Sequence, residues 1–229
     1  MRRLLVALFV VLSLAFAVNV SADSLTLNTT GTWSSATATS PAFYSQVTSW
    51  DGAGCGIGGY LTGATACGAP GINVTPLDVL GGGLSTFSFT TVGTQFNVVL
   101  NQAVSAHTDE FGWVNDANQF NVLFDNKTLG ATASFIPNGT WSFGFKDTNT
   151  GAFWTSNVLG DTQSHFALFR SGDRYYVGAE DLAMPIGHTD MDYNDSIVGL
   201  TAQPVPEPAS MLLLGTGLLI AGSRIRQRK

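Results

Sequence analysis

The 229-residue chain carries 10 Lys and Arg against 16 Asp and Glu, a net charge of -6, and 45% of its residues are hydrophobic. Its 15 Phe, 5 Trp and 5 Tyr exclude an intrinsically disordered body, because such aromatic content drives collapse into a core. The cations concentrate at the two ends, so residues 23–203 keep 4 basic and 15 acidic residues, a net charge of -11. This balance excludes a basic nucleic-acid-binding protein, and no nucleic-acid partner is expected.

The N-terminal 22 residues have the three parts of a secretory signal peptide. Arg2 and Arg3 precede an apolar run over residues 4–18, and small residues follow at 20–22. The pattern predicts a signal helix in residues 1–22 with cleavage after Ala22, or alternatively after Ala17. A core helix or membrane anchor fits less well, because the run is short for a span and ends in small polar residues.

The body, residues 23–203, is predicted to be all-β. Short alternating or aromatic-rich runs are separated by clusters of Gly, Asn, Asp and Ser, and no helical periodicity is evident. This pattern is typical of an antiparallel β-sandwich of jelly-roll type, since a parallel α/β fold would need helices between its strands. The predicted strands are residues 24–33, 84–91, 95–100, 119–125, 131–136, 140–146, 165–170, 174–178 and 196–201.

Two strands carry apolar side chains at every second position. Trp141, Phe143 and Phe145 alternate in one, and Phe120, Val122 and Phe124 alternate in the other. Alternation places such side chains on one face of a sheet, and we expect that face to be buried. A sugar-stacking platform would require the same rings to be exposed.

Residues 51–83 are rich in Gly and poor in strand pattern, which predicts a long surface excursion from the sheets. Both cysteines, Cys55 and Cys67, lie in it. In an exported chain, two cysteines twelve positions apart predict one disulfide. The alternative, a metal site with two thiolates, lacks a nearby histidine.

An acidic stretch near the end of the body predicts a Ca²⁺ site. Oxygen-bearing side chains alternate there, and no thiolate accompanies them, which favours a hard cation. The alternative is a hydrated acidic turn with Tyr193 in the core. An EF-hand is excluded, because Asp195 and Thr201 occupy the positions that need Gly and Glu. The predicted ligands are Glu180, Asp181, Asp190, Asp192, Asn194 and Asp195.

This stretch resembles the acidic end of a β-sandwich domain family of unknown function found in bacterial surface proteins. In that family an E-D-L segment is followed by G-x-x-D-x-D-(Y/F)-N-D and a closing apolar strand. The resemblance spans residues 105–201 and implies cation binding rather than a reaction. The matching residues are Glu180, Asp181, Gly187, Asp190, Asp192, Tyr193, Asn194 and Asp195, with Ile197 and Val198 beginning the strand.

The C-terminal 26 residues, 204–229, have three ordered parts. Pro206, Glu207 and Pro208 precede an apolar segment, residues 209–223, which is predicted to be a hydrophobic helix. A basic cluster follows that would stay on the cytoplasmic side of a membrane. It consists of Arg224, Arg226, Arg228 and Lys229.

This tail resembles the PEP-CTERM sorting signal of Gram-negative exopolysaccharide producers. The resemblance implies processing by a membrane-embedded exosortase at the Pro-Glu-Pro segment. We therefore expect the helix to anchor the chain transiently in the inner membrane before the body reaches the cell surface or the medium. The alternatives are a permanent single-pass anchor and a buried core helix.

The sequence gives little indication of catalysis. None of its three histidines, His107, His165 and His188, accompanies a nucleophile motif. We expect a non-catalytic surface or extracellular-matrix protein that is stabilised by Ca²⁺ and associated with exopolysaccharide or biofilm. The alternatives are a carbohydrate-binding module and, less favoured, a secreted glycoside hydrolase.

Overall fold

The computed structural model describes residues 24–36, 56–63, 72–74, 76–80, 85–160, 164–181, 192–204 and 216–217. Nearly all of the regular structure in these ranges is β. The elements are β1 (Ser24–Thr29), β2 (Trp33–Ala36), α1 (Ile57–Thr62), β3 (Leu77–Leu80), β4 (Phe87–Val92), β5 (Thr94–Gln102), β6 (Asp109–Val114), β7 (Phe120–Asp125), β8 (Thr132–Phe135), β9 (Gly139–Asp147), β10 (Phe153–Thr155), β11 (Phe166–Ser171), β12 (Arg174–Ala179) and β13 (Ser196–Pro204).

The strands form two antiparallel sheets. The first has the order β1-β4-β9-β6-β7, with β10 paired to β9, and the second has the order β2-β3-β11-β12-β13-β5-β8. Each of the nine predicted strands overlaps an observed strand. The predicted all-β, antiparallel two-sheet architecture is confirmed.

The main hydrophobic core lies between the two sheets. Alternation along β9 buries Trp141, Phe143 and Phe145, as predicted. The Trp141 ring stacks on Phe89 of the neighbouring strand with centroids 4.8 Å apart, and Phe96 of the second sheet meets Trp141 edge-on at 4.9 Å. Aromatic contacts across the interior therefore join the sheets, and these rings are not available as a sugar-binding platform.

A second, smaller core covers the other face of the second sheet. Ile57 and Leu61 of α1 are fully buried there against residues of β3, β11, β12 and β13. The surface-loop prediction for residues 51–83 is therefore wrong for α1 and for β3, which pairs with both β2 and β11. The segment is rich in Gly, and its apolar runs are too short to indicate the buried helix and the strand.

The prediction of a buried stripe on β7 is wrong for Phe120 and Val122. A register shift in the pairing of β6 with β7, between Phe111 and Gly112, interrupts the alternation. Phe124 stacks on Phe111 in the core, whereas Val122 is 50% exposed. The Phe120 ring contacts Phe153 of β10, with centroids 5.0 Å apart.

Several predicted features lie outside the described residues. They are the signal helix (1–22), Cys55 and Cys67, the Pro206, Glu207 and Pro208 motif, and the cations Arg224, Arg226, Arg228 and Lys229. Of the predicted hydrophobic helix at 209–223, only residues 216–217 are described, and both are helical and exposed. Among the residues that the structure describes, no helix combines the length and apolar character of a membrane span.

Candidate metal centre

The backbone register brings the acidic residues together at one end of the second sheet. Ala179, the last residue of β12, pairs with Ser196, the first residue of β13. The chain that leaves β12 and the chain that enters β13 therefore lie side by side. Glu180 and Asp181 follow the one strand, and Asp195 precedes the other.

Carboxylate oxygens of Glu180, Asp181 and Asp195 all lie within 4.8 Å of one another, and the three groups are buried. Asp195 as a whole residue keeps some exposed surface, but its carboxylate is enclosed. The main-chain amide of Asp181 donates a 2.7 Å hydrogen bond to Asp195 Oδ2. These three residues form the centre of the site, and we call them the acidic triad.

Two further predicted ligands border the acidic triad. Asp192 and Asn194 are buried, and Asp192 accepts hydrogen bonds from the Asn194 amide (3.1 Å) and side chain (2.5 Å). Between them, Tyr193 has a φ of 55° and donates from its hydroxyl to the Ser164 carbonyl at 3.0 Å. Tyr193 is thus in the core, while Asp192 contributes negative charge beside Asp195. The remaining predicted ligand, Asp190, lies outside the described residues.

Burial and neighbouring charges make ionisation of Asp195, one member of the acidic triad, unfavourable. Burial raises the pKa of Asp195 well above its ordinary value, and the charges of Glu180, Asp181 and Asp192 raise it further. The hydrogen bond from the Asp181 amide opposes this shift but does not overcome it. The site therefore favours either a retained proton or a bound cation.

The first sheet adds residues that the sequence analysis did not select. Asp109 begins β6 and pairs in register with Asp147 at the end of β9, and both are buried. In the preceding loop, Ser105 Oγ donates to Asp181 Oδ2 at 2.6 Å. His107 Nδ1 lies 2.9 Å from Asp147 Oδ2 and 3.9 Å from Asp181 Oδ2. The acidic triad of the second sheet thus meets polar groups of the first.

The two first-sheet carboxylates differ in their surroundings. Burial, followed by the charge of Asp181, raises the pKa of Asp109 to about 7. Burial also acts to raise the pKa of Asp147, but hydrogen bonds outweigh it and hold that pKa below its ordinary value. The donors to Asp147 are the Thr150 hydroxyl, the amides of Asn149 and Thr150, and His107. Hydrogen bonds therefore stabilise Asp147 as an anion, whereas burial has the larger effect on Asp109.

The residues present fit a calcium ion. Ca²⁺ binds oxygen ligands at 2.3–2.6 Å, so two oxygens on one ion lie at most about 5 Å apart, which the acidic triad satisfies. Without a cation, two ionised groups at this separation would repel each other by roughly 3–4 kcal/mol at an effective dielectric constant of about 20. An oxygen-rich set without thiolates favours a hard cation over zinc or copper.

Comparison with known proteins identifies the end of the chain. Residues 204–229 match the PEP-CTERM protein-sorting motif. The chain carries a PEP-CTERM sorting motif. It is accordingly an exported protein with a C-terminal sorting signal, as predicted from the tail. No curated protein matches the sequence.

Among solved structures, the chain is similar to the lectin CV2L of Chromobacterium violaceum, which was determined in complex with alpha-methyl-fucoside. The two chains are 22% identical, and the similarity covers 52% of this chain and 96% of the lectin with a TM-score of 0.31.

Proposed function

We propose that this protein is a non-catalytic component of the cell surface or extracellular matrix, with a β-sandwich that is stabilised by Ca²⁺. The acidic triad is the centre of the proposed calcium site, and Asp192 and Asn194 border it. Its role there would be structural, since ion binding offsets the repulsion between buried carboxylates. The proposed association with exopolysaccharide or biofilm is supported by the PEP-CTERM sorting motif.

One observation carries the calcium proposal. The oxygens of Glu180, Asp181 and Asp195 converge within 4.8 Å in a buried setting. Buried carboxylates are normally paired with a cation or hold a proton. The nearby basic group His107 is engaged with Asp147 at 2.9 Å and lies 3.9 Å from Asp181. The proposed role of the calcium ion is to neutralise the carboxylates of the acidic triad.

The tail supplies the proposed route out of the cell. The apolar segment over residues 209–223 would hold the chain in the inner membrane while exosortase acts at Pro206, Glu207 and Pro208. The cations from Arg224 to Lys229 would fix the orientation, because basic residues remain on the cytoplasmic side. Exosortase is thus the proposed processing partner, and the membrane contact is transient.

The test combines intact-mass analysis with calorimetric calcium titration of protein recovered from outside the producing cell. We expect a mass that lacks both ends, and calcium binding that Asp195→Asn weakens at least tenfold. Asp173→Asn, in the exposed turn between β11 and β12, is the matched control and should bind as the wild type does. Full-length protein retained in the cytosol would contradict the export route, and absence of calcium binding would contradict the metal site.

A further inference from the structure

The first sheet carries an exposed apolar patch that contains two aromatic rings. Phe153 of β10 and Phe120 of β7 contact each other with ring centroids 5.0 Å apart. Among the aromatic side chains that the structure describes, Phe153 alone is exposed, at 43%, and Phe120 is partly buried. Val122, two residues beyond Phe120 on β7, is 50% exposed. We call Phe120, Val122 and Phe153 the apolar shelf.

Strand register places the apolar shelf on the face of the sheet that points away from the core. Gly144 lies between two core phenylalanines of β9, so it belongs to the outer face. Gly144 pairs with Gly112 of β6, which in turn pairs with Val122. The register shift between β6 and β7 is what turns Phe120 and Val122 outward, as β-bulges commonly redirect side chains.

The two paired glycines make room for the Phe120 ring. A Cβ on Gly112 would lie 2.7 Å from Phe120 Cε2, and a Cβ on Gly144 would lie 2.8 Å from the same atom. The ring therefore rests on backbone at a place where a side chain would displace it. Phe153 contacts this ring from the neighbouring strand β10. The apolar shelf is thus already formed before any ligand binds, which lowers the cost of binding.

A charged pair adjoins the apolar shelf. Lys146 pairs in register with both Phe153 and Glu110, and its Nζ lies 3.4 Å from Glu110 Oε2. Both charged side chains are partly exposed. Together they offer hydrogen-bond donors and acceptors without a net charge. An apolar surface with a few polar groups beside it is the usual composition of a small-ligand site.

The size of the apolar shelf indicates the kind of ligand that it fits. The exposed parts of its three side chains amount to roughly 200 Å², given the area of an aromatic residue. A stable protein interface needs about 800 Å² from each partner, so the shelf is too small to hold a second copy of the chain. Its area instead suits the C–H face of a sugar ring, whose hydroxyls would reach the polar neighbours.

The charge of the body favours a neutral sugar over an acidic one. Residues 23–203 carry a net charge of -11, which repels polyanions, and Lys146 is already paired with Glu110. We propose that the apolar shelf binds a neutral polysaccharide, with a sugar ring stacked on Phe153 and its hydroxyls bonded to Lys146 and Glu110. This inference rests on the proposed association with exopolysaccharide and assigns a site to it.

Two substitutions at Phe153 separate ring stacking from general apolar contact. The probe is exopolysaccharide purified from the producing cells, and affinity electrophoresis of the exported protein measures binding. Phe153→Leu keeps an apolar side chain without the ring and should weaken binding about fivefold or more, whereas Phe153→Tyr should bind as the wild type does. Leu129→Ala, at a 59% exposed residue between β7 and β8, is the matched control and should leave binding unchanged.

The outcomes separate this site from the proposed association. If the wild type does not bind the exopolysaccharide, the association fails, and the apolar shelf fails with it. If the wild type binds and Phe153→Leu binds equally well, the association stands and the apolar shelf is overturned as its site.

Two further measurements test the identity of the ligand. Reduction of the uronic carboxyl groups of the exopolysaccharide should leave binding intact, and loss of binding would overturn the choice of a neutral sugar. Sedimentation should show a monomer for both the wild type and Phe153→Leu. A wild-type dimer that Phe153→Leu dissociates would make the apolar shelf an interface between copies of the chain and would overturn the inference.

Discussion

The main-chain amide of Asp181 donates a 2.7 Å hydrogen bond to Asp195 Oδ2 across the point where β12 ends and β13 begins. This bond orients the Asp195 carboxylate by means of the backbone, independently of any ion. A ligand that is held in place in this way costs less to order when a cation binds. The register of two adjacent strands thus prepares the centre of the proposed site.

Replacing Asp195 should affect stability in opposite directions with and without calcium. In EDTA at pH 7, Asp195→Asn should raise the free energy of unfolding by about 1 kcal/mol or more, because it removes a buried carboxylate whose pKa is raised by burial and by three acidic neighbours. In millimolar calcium the same variant should be less stable than the wild type. Urea unfolding under both conditions measures this, and a variant that is destabilised equally in both would count against the metal site.

The folding stability of the metal-free protein should depend on pH in the opposite direction to the stability that an ordinary surface carboxylate contributes. The native state raises the pKa of Asp109 from 3.8 to about 7, so it retains a proton that the unfolded chain has released. Stability in EDTA should therefore fall as the pH rises from about 4 to about 7. The raised pKa of Asp195 should likewise lower the stability of the metal-free protein as the pH rises.

Calcium should reverse this trend, because its ligands bind it only when deprotonated. Thermal unfolding between pH 4.5 and 7.5, with EDTA and with calcium, measures both slopes. Metal-free stability that increases toward pH 7 would contradict the assigned environments of Asp109 and Asp195.

Ser156 joins two strands of the first sheet beyond the end of their direct pairing. Its buried hydroxyl donates to the Phe87 carbonyl at 2.8 Å and accepts from the Phe143 amide at 3.0 Å. Ser156→Ala leaves both backbone groups without this partner and should cost about 1–3 kcal/mol in urea unfolding. Ser134→Ala, on the exposed side of β8, should cost less than about 0.5 kcal/mol. If Ser156→Ala were as stable as the wild type, water would have to replace the Ser156 hydroxyl.

Two paired glycines on β6 and β9 should differ in their tolerance of alanine. A Cβ on Gly112 would clash with the backbone oxygen of Asn121, whereas a Cβ on Gly144 would meet the Phe120 ring at 2.8 Å. A ring can rotate away, but a paired strand cannot. Gly112→Ala should therefore cost about 3 kcal/mol and Gly144→Ala about 1–2 kcal/mol in urea unfolding. The reverse order would contradict the close approach of β6 and β7.

The sequence predicted strands best where alternation is uninterrupted. The run from Thr140 to Lys146 alternates throughout and matches β9 closely. In contrast, β6 was not predicted, because it begins with Asp109 and Glu110 and has glycine at its centre. Its burial comes from pairing with β7 and β9 on either side, which is a tertiary effect that local pattern does not express.

The candidate site could be predicted only in part for the same reason. Glu180, Asp181 and Asp195 lie within 16 consecutive residues, so their local density was visible in the sequence. Asp109 is distant in sequence and follows an unremarkable loop that contains His107. Only the packing of the two sheets lets the charge of Asp181 contribute to the raised pKa of Asp109. The sequence feature that could have identified it is the group of polar residues from Ser105 to Glu110 just before an aromatic segment.

Thermal unfolding of the exported protein in EDTA and in calcium tests the central claim most directly. With calcium a hundredfold above its dissociation constant, binding to the folded state alone adds about 2.7 kcal/mol, which raises Tm by about 5–10 °C for a chain of this size. We expect that increase with calcium and a smaller one with equimolar magnesium. An identical Tm in EDTA and in 10 mM calcium, roughly the range that saturates weak extracellular sites, would contradict the account.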